Sequence, residues 1–238
     1  MISEQREGAV AWLTFDRPDR LNAFTADGYR ELRVALERCG TDDQIRAVVV
    51  TGRGRAFSVG AHRSLLDPRT TMADLDRAGQ EFTSLLEVLA QFAKPLLAAV
   101  NGLAVGFGAT MLMYCDVILL AETARLRLPF TELGIVPEAG SSALLPTRVR
   151  WADAMWNALS SEWIDAAQAY DMGLAWRVEP EADLHQSAAT AAATIAALDP
   201  HAVAATKRLM TAGRAEAARQ AIARESQEMR ALTSRQVD

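Results

Sequence analysis

The sequence predicts an α/β fold with a C-terminal helical region, and three observations carry that expectation. Short, strongly apolar runs at residues 45–52, 96–100 and 117–120 have the length and β-branched content of strands buried on both faces of a parallel sheet. Segments with a 3.6-residue apolar period separate them, at residues 26–38 and 74–91. After Pro146 the strands give way to alanine-rich helical pattern, punctuated by Pro180 and by Asp199–Pro200.

Taken in order, GAVAWLTFDRP (residues 8–18) alternates and reads as a strand ended by Pro18. Thr25 is a suitable N-cap for the helix over 26–38, because its hydroxyl can accept from a free backbone N–H of the first turn. Residues 52–62 form a loop containing three glycines, and Pro95 opens the strand at 96–100. Helices are expected over 152–159, 165–172, 182–198, 201–210 and 215–230. A boundary near residue 180 divides a core, 1–180, from a helical region, 181–238. The sequence shows no internal repeat.

Bulk properties bound the function. With 25 Lys and Arg against 30 Asp and Glu, the net charge of −5 leaves no basic footprint for nucleic acid. Half the residues are hydrophobic, yet no apolar run approaches the ~20 residues of a membrane span. The opening MISEQREGAVAWLTF lacks the basic-then-apolar layout of a signal peptide, so a cytoplasmic protein is expected. Cys39 and Cys115 form no CxxC pair and read as reduced core thiols. His62, His185 and His201 have no metal-ligand spacing, and no metal is expected.

The chemistry concentrates in two segments. KPLLAAVNGLAVGFGATMLMYCDVILL (94–120) reads as a strand, a Gly-rich turn, a helix start and a second strand. Such a turn aims backbone N–H groups at whatever lies in front of it and stabilises negative charge. RLPFTELGIVPEAGSSALLP (127–146) places one carboxylate, Glu138, in a Pro/Gly-marked loop just ahead of another helix. A carboxylate can move a proton. Together these features point to chemistry on a carbonyl compound through an enolate-like anion.

Four segments resemble the enoyl-CoA hydratase/isomerase family, the crotonase superfamily: RPDRLNAF (17–24), RAFSVGAH (55–62), KPLLAAVNGLAVGFGA (94–109) and PFTELGIVPEAGSSALLP (129–146). The resemblance runs over nearly the whole chain. It implies a spiral ββα core that binds an acyl-CoA thioester, with coenzyme A entering as part of the substrate and no separate cofactor. It also implies C-terminal helices at subunit contacts, in a homotrimer or a dimer of trimers. By motif position, the backbone N–H groups of Ala61 and Phe107 would hold the thioester enolate. Gly106 would let the ligand approach, Arg20 and Arg55 would meet the CoA phosphates, and Ala23 would lie along the pantetheine arm. His62 replaces the family's usual aspartate, where it either touches ligand or fills the loop.

Two departures bear on activity. Hydratases of the family use two glutamates to add water, and here those positions hold Thr110 and Phe130. Neither can serve as a carboxylate base. Where typical hydratases carry glycine after the proline, this chain has Glu138, the position of the single acid/base in family isomerases. PFTELGIVPEAGSS is similar to Δ3,Δ2-enoyl-CoA isomerases of the peroxisomal type. The resemblance therefore implies a shift of a 3-enoyl-CoA double bond to the 2-position, with Glu138 moving the proton. Two alternatives stay open: another crotonase-type reaction such as hydration or lyase-like cleavage, and a non-catalytic acyl-CoA binder. Glu132 is expected on an exposed helix. Trp151, Trp156, Trp163 and Trp176 are expected in the core or at subunit contacts. The chain stops about one helix short of the family's usual length, which bears on closure of the acyl pocket.

Overall fold

The computed structural model describes residues 1–66 and 69–235. In chain order the elements are β1 (Ile2–Glu7), β2 (Val10–Phe15), α1 (Ala26–Thr41), β3 (Ala47–Gly52), β4 (Ala56–Ser58), α2 (Met72–Gln91), β5 (Leu96–Val100), β6 (Leu103–Val105), α3 (Phe107–Thr110), β7 (Val117–Ala121), β8 (Arg125–Arg127), α4 (Ser141–Leu144), α5 (Trp151–Ser160), β9 (Trp163–Asp165), α6 (Ala166–Asp171), β10 (Arg177–Glu179), α7 (Leu184–Ala196), α8 (Pro200–Met210) and α9 (Arg214–Arg235).

The larger sheet runs β1-β2-β3-β5-β7-β10 and the smaller β4-β6-β8-β9. β1 pairs antiparallel with β2, and every other neighbour in the larger sheet is parallel. The central strands β3, β5 and β7 are the uninterrupted apolar runs, because both faces are covered. α7 covers β2, β3, β5 and β7. Its buried residues Leu184, Ala188, Ala192 and Ala196 recur every four positions, and the small alanines let the helix lie close to the strands. α1 and α2 pack on one another, and α9 packs on α2 and α4.

Three times a strand of the larger sheet is followed within four residues by one of the smaller sheet: β3 then β4, β5 then β6, β7 then β8. β4, β6 and β8 lie side by side and parallel. The loops leaving their C-terminal ends therefore emerge at one edge. Those loops begin at residues 59, 106 and 128, and they carry Ala61, Phe107 and Glu138. This repeat is structural only; the sequence does not display it.

α8 is tied to the sheet by a buried polar pin. Lys207 Nζ donates to Asp116 Oδ2 and to the Lys94 carbonyl, both at 2.6 Å, while Asp116 Oδ2 also accepts from Leu96 N at 2.8 Å. Cys39 and Cys115 are buried and unbridged, and burial pushes their thiols up to about 11 and about 12. Two expectations change. Residues 131–134 form turns rather than a helix, so Glu132 stands exposed on a turn and pairs with Arg127. Trp151, Trp156, Trp163 and Trp176 face outward in this chain, which removes the core half of that expectation, and the core tryptophan is Trp12, which stacks on His185 at 4.1 Å.

Candidate active site

The edge where the three loops meet is built from backbone first. Phe24 and Ala61 form an isolated parallel bridge. Phe24 N donates to the Gly60 carbonyl and His62 N to the Phe24 carbonyl, each at 2.7 Å, which leaves the Ala61 N–H outside the bridge. Gly60 has φ 77°, and a Cβ there would stand 2.7 Å from the Val105 carbonyl oxygen and 3.0 Å from Phe107 N. Only glycine permits this approach, and it sets the 60–61 backbone against the 106–107 turn. Gly106, with φ 54° and open space where a side chain would project, makes that turn. Phe107 is the first residue of α3, so its N–H has no intrahelical acceptor. Two spare N–H groups, Ala61 and Phe107, are thus brought into adjacent segments.

The Phe107 side chain turns inward. Its ring meets Phe24, Tyr29 and Phe82 edge-on at 5.3, 5.5 and 5.1 Å between centroids. Edge-to-face contacts of this kind fix ring orientation as well as burying area. The Tyr29 hydroxyl makes no hydrogen bond among the described residues, and burial followed by the charge of Glu138 raises its ionisation far above the ordinary phenol range.

Thr110 ends α3, three residues and ~4.5 Å of helix rise beyond Phe107. It is fully buried, and its hydroxyl donates to Glu138 Oε1 at 2.6 Å. The residue standing where a hydratase glutamate would be is thus the partner of the one carboxylate in the motif. Glu138 keeps intermediate exposure as a residue, but its carboxylate is turned into the protein. Desolvation is the largest influence and raises its proton affinity; the Thr110 hydrogen bond opposes it, and the charge of Glu225 adds to it. The outcome is a pKa moved from 4.5 up to about 7. Phe130 is buried at the start of the same loop.

The loop around Glu138 is held from several sides. The Glu138 carbonyl accepts from Ser141 N and from Ser141 Oγ at 3.0 and 2.6 Å. Tyr114 Oη donates to the Ala139 carbonyl at 2.6 Å, and Ala139 takes the left-handed φ of 59°. From α9, Glu225 accepts from Gly140 N at 2.8 Å, Ser142 N at 3.0 Å and Ser142 Oγ at 2.6 Å.

The remaining residues lie on the 17–24 and 53–64 segments. Arg20 and Arg55 are exposed. His62 is half-buried with its Nδ1 2.8 Å from Ser64 Oγ, and its proton affinity is lowered by burial and then by Arg17, Arg20 and Arg63, so positive charge gathers around it. Ala23 is buried and its carbonyl accepts from Arg17 Nη1 at 3.2 Å. The 17–23 loop is shaped by Asn22, fully buried with φ 57°, whose amide donates to the carbonyls of Arg53 and Ala56 and accepts from Arg17 N.

The residues that sequence reasoning missed here are Tyr29, Tyr114 and Glu225. Glu225 left a legible signal: it continues the buried stripe Ala218, Ala221 of α9, and a charged residue on a helix's buried stripe demands partners.

Comparison with known proteins gives the chain its family. The family model for enoyl-CoA hydratase/isomerase matches residues 5–237. A 1,2-epoxyphenylacetyl-CoA isomerase of Escherichia coli is 35% identical over 185 residues, 76% of this chain and 71% of that protein. A probable enoyl-CoA hydratase of Rhodobacter capsulatus is 38% identical over 205 residues, 86% of this chain and 78% of the relative. The crystal structure of an enoyl-CoA hydratase/isomerase from Pseudoalteromonas atlantica superposes with a TM-score of 0.88 at 33% identity, covering 97% of this chain and 90% of that one. With a family match over almost its full length and the same fold at that identity, this chain belongs to the enoyl-CoA hydratase/isomerase family and is a crotonase-fold enzyme of acyl-CoA thioesters.

Proposed function

We propose that the enzyme moves the double bond of a 3-enoyl-CoA to the 2-position, with Glu138 as its single acid/base. One observation carries this reading: Glu138 is a desolvated carboxylate with a pKa of about 7, held by Thr110, while Thr110 and Phe130 occupy the two positions a hydratase fills with glutamate. Glu138 takes the C2 proton, which is acidified by both the thioester and the neighbouring double bond. The resulting dienolate places negative charge on the thioester oxygen, where the Ala61 and Phe107 N–H groups would receive it. Glu138 then returns the same proton at C4, so no atom is gained or lost. A base with a pKa near the operating pH is suited to both halves of that transfer. Phe130 keeps water from the acyl chain, and Gly106 leaves room for the thioester. The cationic mouth formed with Arg20, together with Arg55, would face the CoA phosphates, and His62 and Ala23 would line the path between. The outward tryptophans of α5 fit a face covered in a trimeric assembly.

Hydration is the second reading, favoured by the name of the Rhodobacter relative. It needs a second carboxylate free to activate water, and Glu225 has both oxygens engaged by the 140–142 backbone and Ser142. The test is a panel of 3-enoyl and 2-enoyl thioesters read by absorbance and product mass, together with Glu138→Gln. Isomerisation of the 3-enoyl series is expected, falling by roughly 10²–10⁴ in Glu138→Gln. Hydration of 2-enoyl thioesters at a kcat of roughly 1–10³ s⁻¹ would overturn the proposal. Absence of both isomerisation and exchange of α-protons with deuterated water would leave only binding.

A further inference from the structure

We infer that Glu225 is a positioning residue for the acid/base: from the C-terminal helix it clamps the loop that carries Glu138 and sets a second negative charge behind it. The catalytic half of this inference rests on the proposed role of Glu138; the structural half does not.

Glu225 is a charged side chain only 7% exposed, on the stripe of α9 that otherwise holds Ala218 and Ala221. A carboxylate left unpaired in such a place is strongly destabilising, and here three donors from the 140–142 segment satisfy it. Those donors begin two residues after Glu138. The helix also meets the loop by backbone contact: a Cβ on Gly140, φ 72°, would lie 3.2 Å from Ala218 Cα and 3.2 Å from Tyr114 Oη. α9 is thus seated on the loop with no side chain between them at Gly140, and Glu225 fixes the register of that seat. Tyr114, bonded to the Ala139 carbonyl, holds the other side.

The charged groups acting on this place are few. Glu138 and Glu225 face it from the loop and from α9, and the field of Arg214 reaches the Tyr114 phenol. Thr110, Tyr29, Tyr114, Ser141 and Ser142 are neutral polar groups around them. Neutralising Glu225 removes repulsion from Glu138 and makes it a weaker base. Deleting the side chain frees three donors and lets the loop drift, and misplacement by an ångström costs roughly 10²-fold in rate.

The experiment uses the full chain, with Glu225→Gln as the conservative variant and Glu225→Ala as the severe one. The Glu138 carboxyl is followed by carbon NMR, identified by its loss in Glu138→Gln, and titrated without substrate. In Glu225→Gln, whose side-chain oxygen can still accept from Ser142, the Glu138 titration is expected to move to lower pH, and the acid limb of kcat/KM to move with it. In Glu225→Ala, kcat is expected to fall roughly 10–10²-fold with KM nearly unchanged, and Glu225→Gln to recover part of that loss. A Glu138 titration that stays in place in Glu225→Gln overturns the inference, as does a Glu225→Ala variant with wild-type kcat. If the titration moves but no thioester is isomerised, the proposed reaction falls and the positioning role stands.

Discussion

Replacing Glu138 by glutamine should make the protein more stable at neutral and alkaline pH, and the size follows from its proton affinity. The folded carboxyl binds its proton with a pKa of about 7, against an ordinary 4.5 in the unfolded chain. Between those values the folded state holds more protons than the unfolded state, so stability falls as pH rises. The group's contribution is intact below 4.5 and is lost by the time pH has passed 7. A gap of about 2.5 pK units is worth about 3.5 kcal/mol in full at ~1.4 kcal/mol per unit, and between pH 5 and 8 it amounts to ~2.5 kcal/mol. Glutamine keeps an acceptor for Thr110 and cannot ionise. Urea unfolding of wild type and Glu138→Gln at pH 5, 6, 7 and 8 should give stability curves that diverge steadily, with the variant gaining on wild type toward pH 8. Curves that stay parallel across this range would refute the desolvated carboxylate, whatever the absolute stabilities.

Two further outcomes follow from the same geometry. Thr110→Val removes a hydrogen bond that favours the ionised carboxylate, so the Glu138 pKa should rise above its present value of about 7 and the acid limb of kcat/KM should move to higher pH; an unmoved limb in a pH–rate profile counts against the pairing. Gly60→Ala forces a Cβ to 2.7 Å from the Val105 carbonyl oxygen at a φ of 77°, so it should lower thermal stability by about 1–3 kcal/mol and, by parting Ala61 from Phe107, cost about 10²–10³ in turnover, measured by calorimetry and steady-state kinetics.

What the sequence disclosed depended on length and polarity. The runs AVVV, LLAAV and VILLA announce β3, β5 and β7 because strands buried on both faces need no alternation. β4, β6, β8 and β9 have three residues each, too few to display a period of two, and so the smaller sheet left no pattern of its own. β1 was missed for a different reason: ISEQRE is a polar edge strand with no buried face to mark it. The helix expected at Glu132 is absent because Pro129 and Gly134 bracket turns there. Around the site, Glu138 stood out through its motif. Its partner Thr110 lies 28 residues away and Glu225 contacts the loop across 83 and 85 residues, and no local period reports contacts of that range.

The clamp also orders the making of the site in time. Chain growth proceeds from the amino end, so every strand and both spare N–H groups are synthesised before α9. The sheets can pair and the Ala61–Phe107 edge can form while the 140–142 donors still await their carboxylate. The loop carrying Glu138 is locked only when the final helix arrives. Polypeptides cut short before residue 225 would lack the carboxylate that holds the 140–142 segment, so the loop carrying Glu138 is secured only in chains that have reached their last helix.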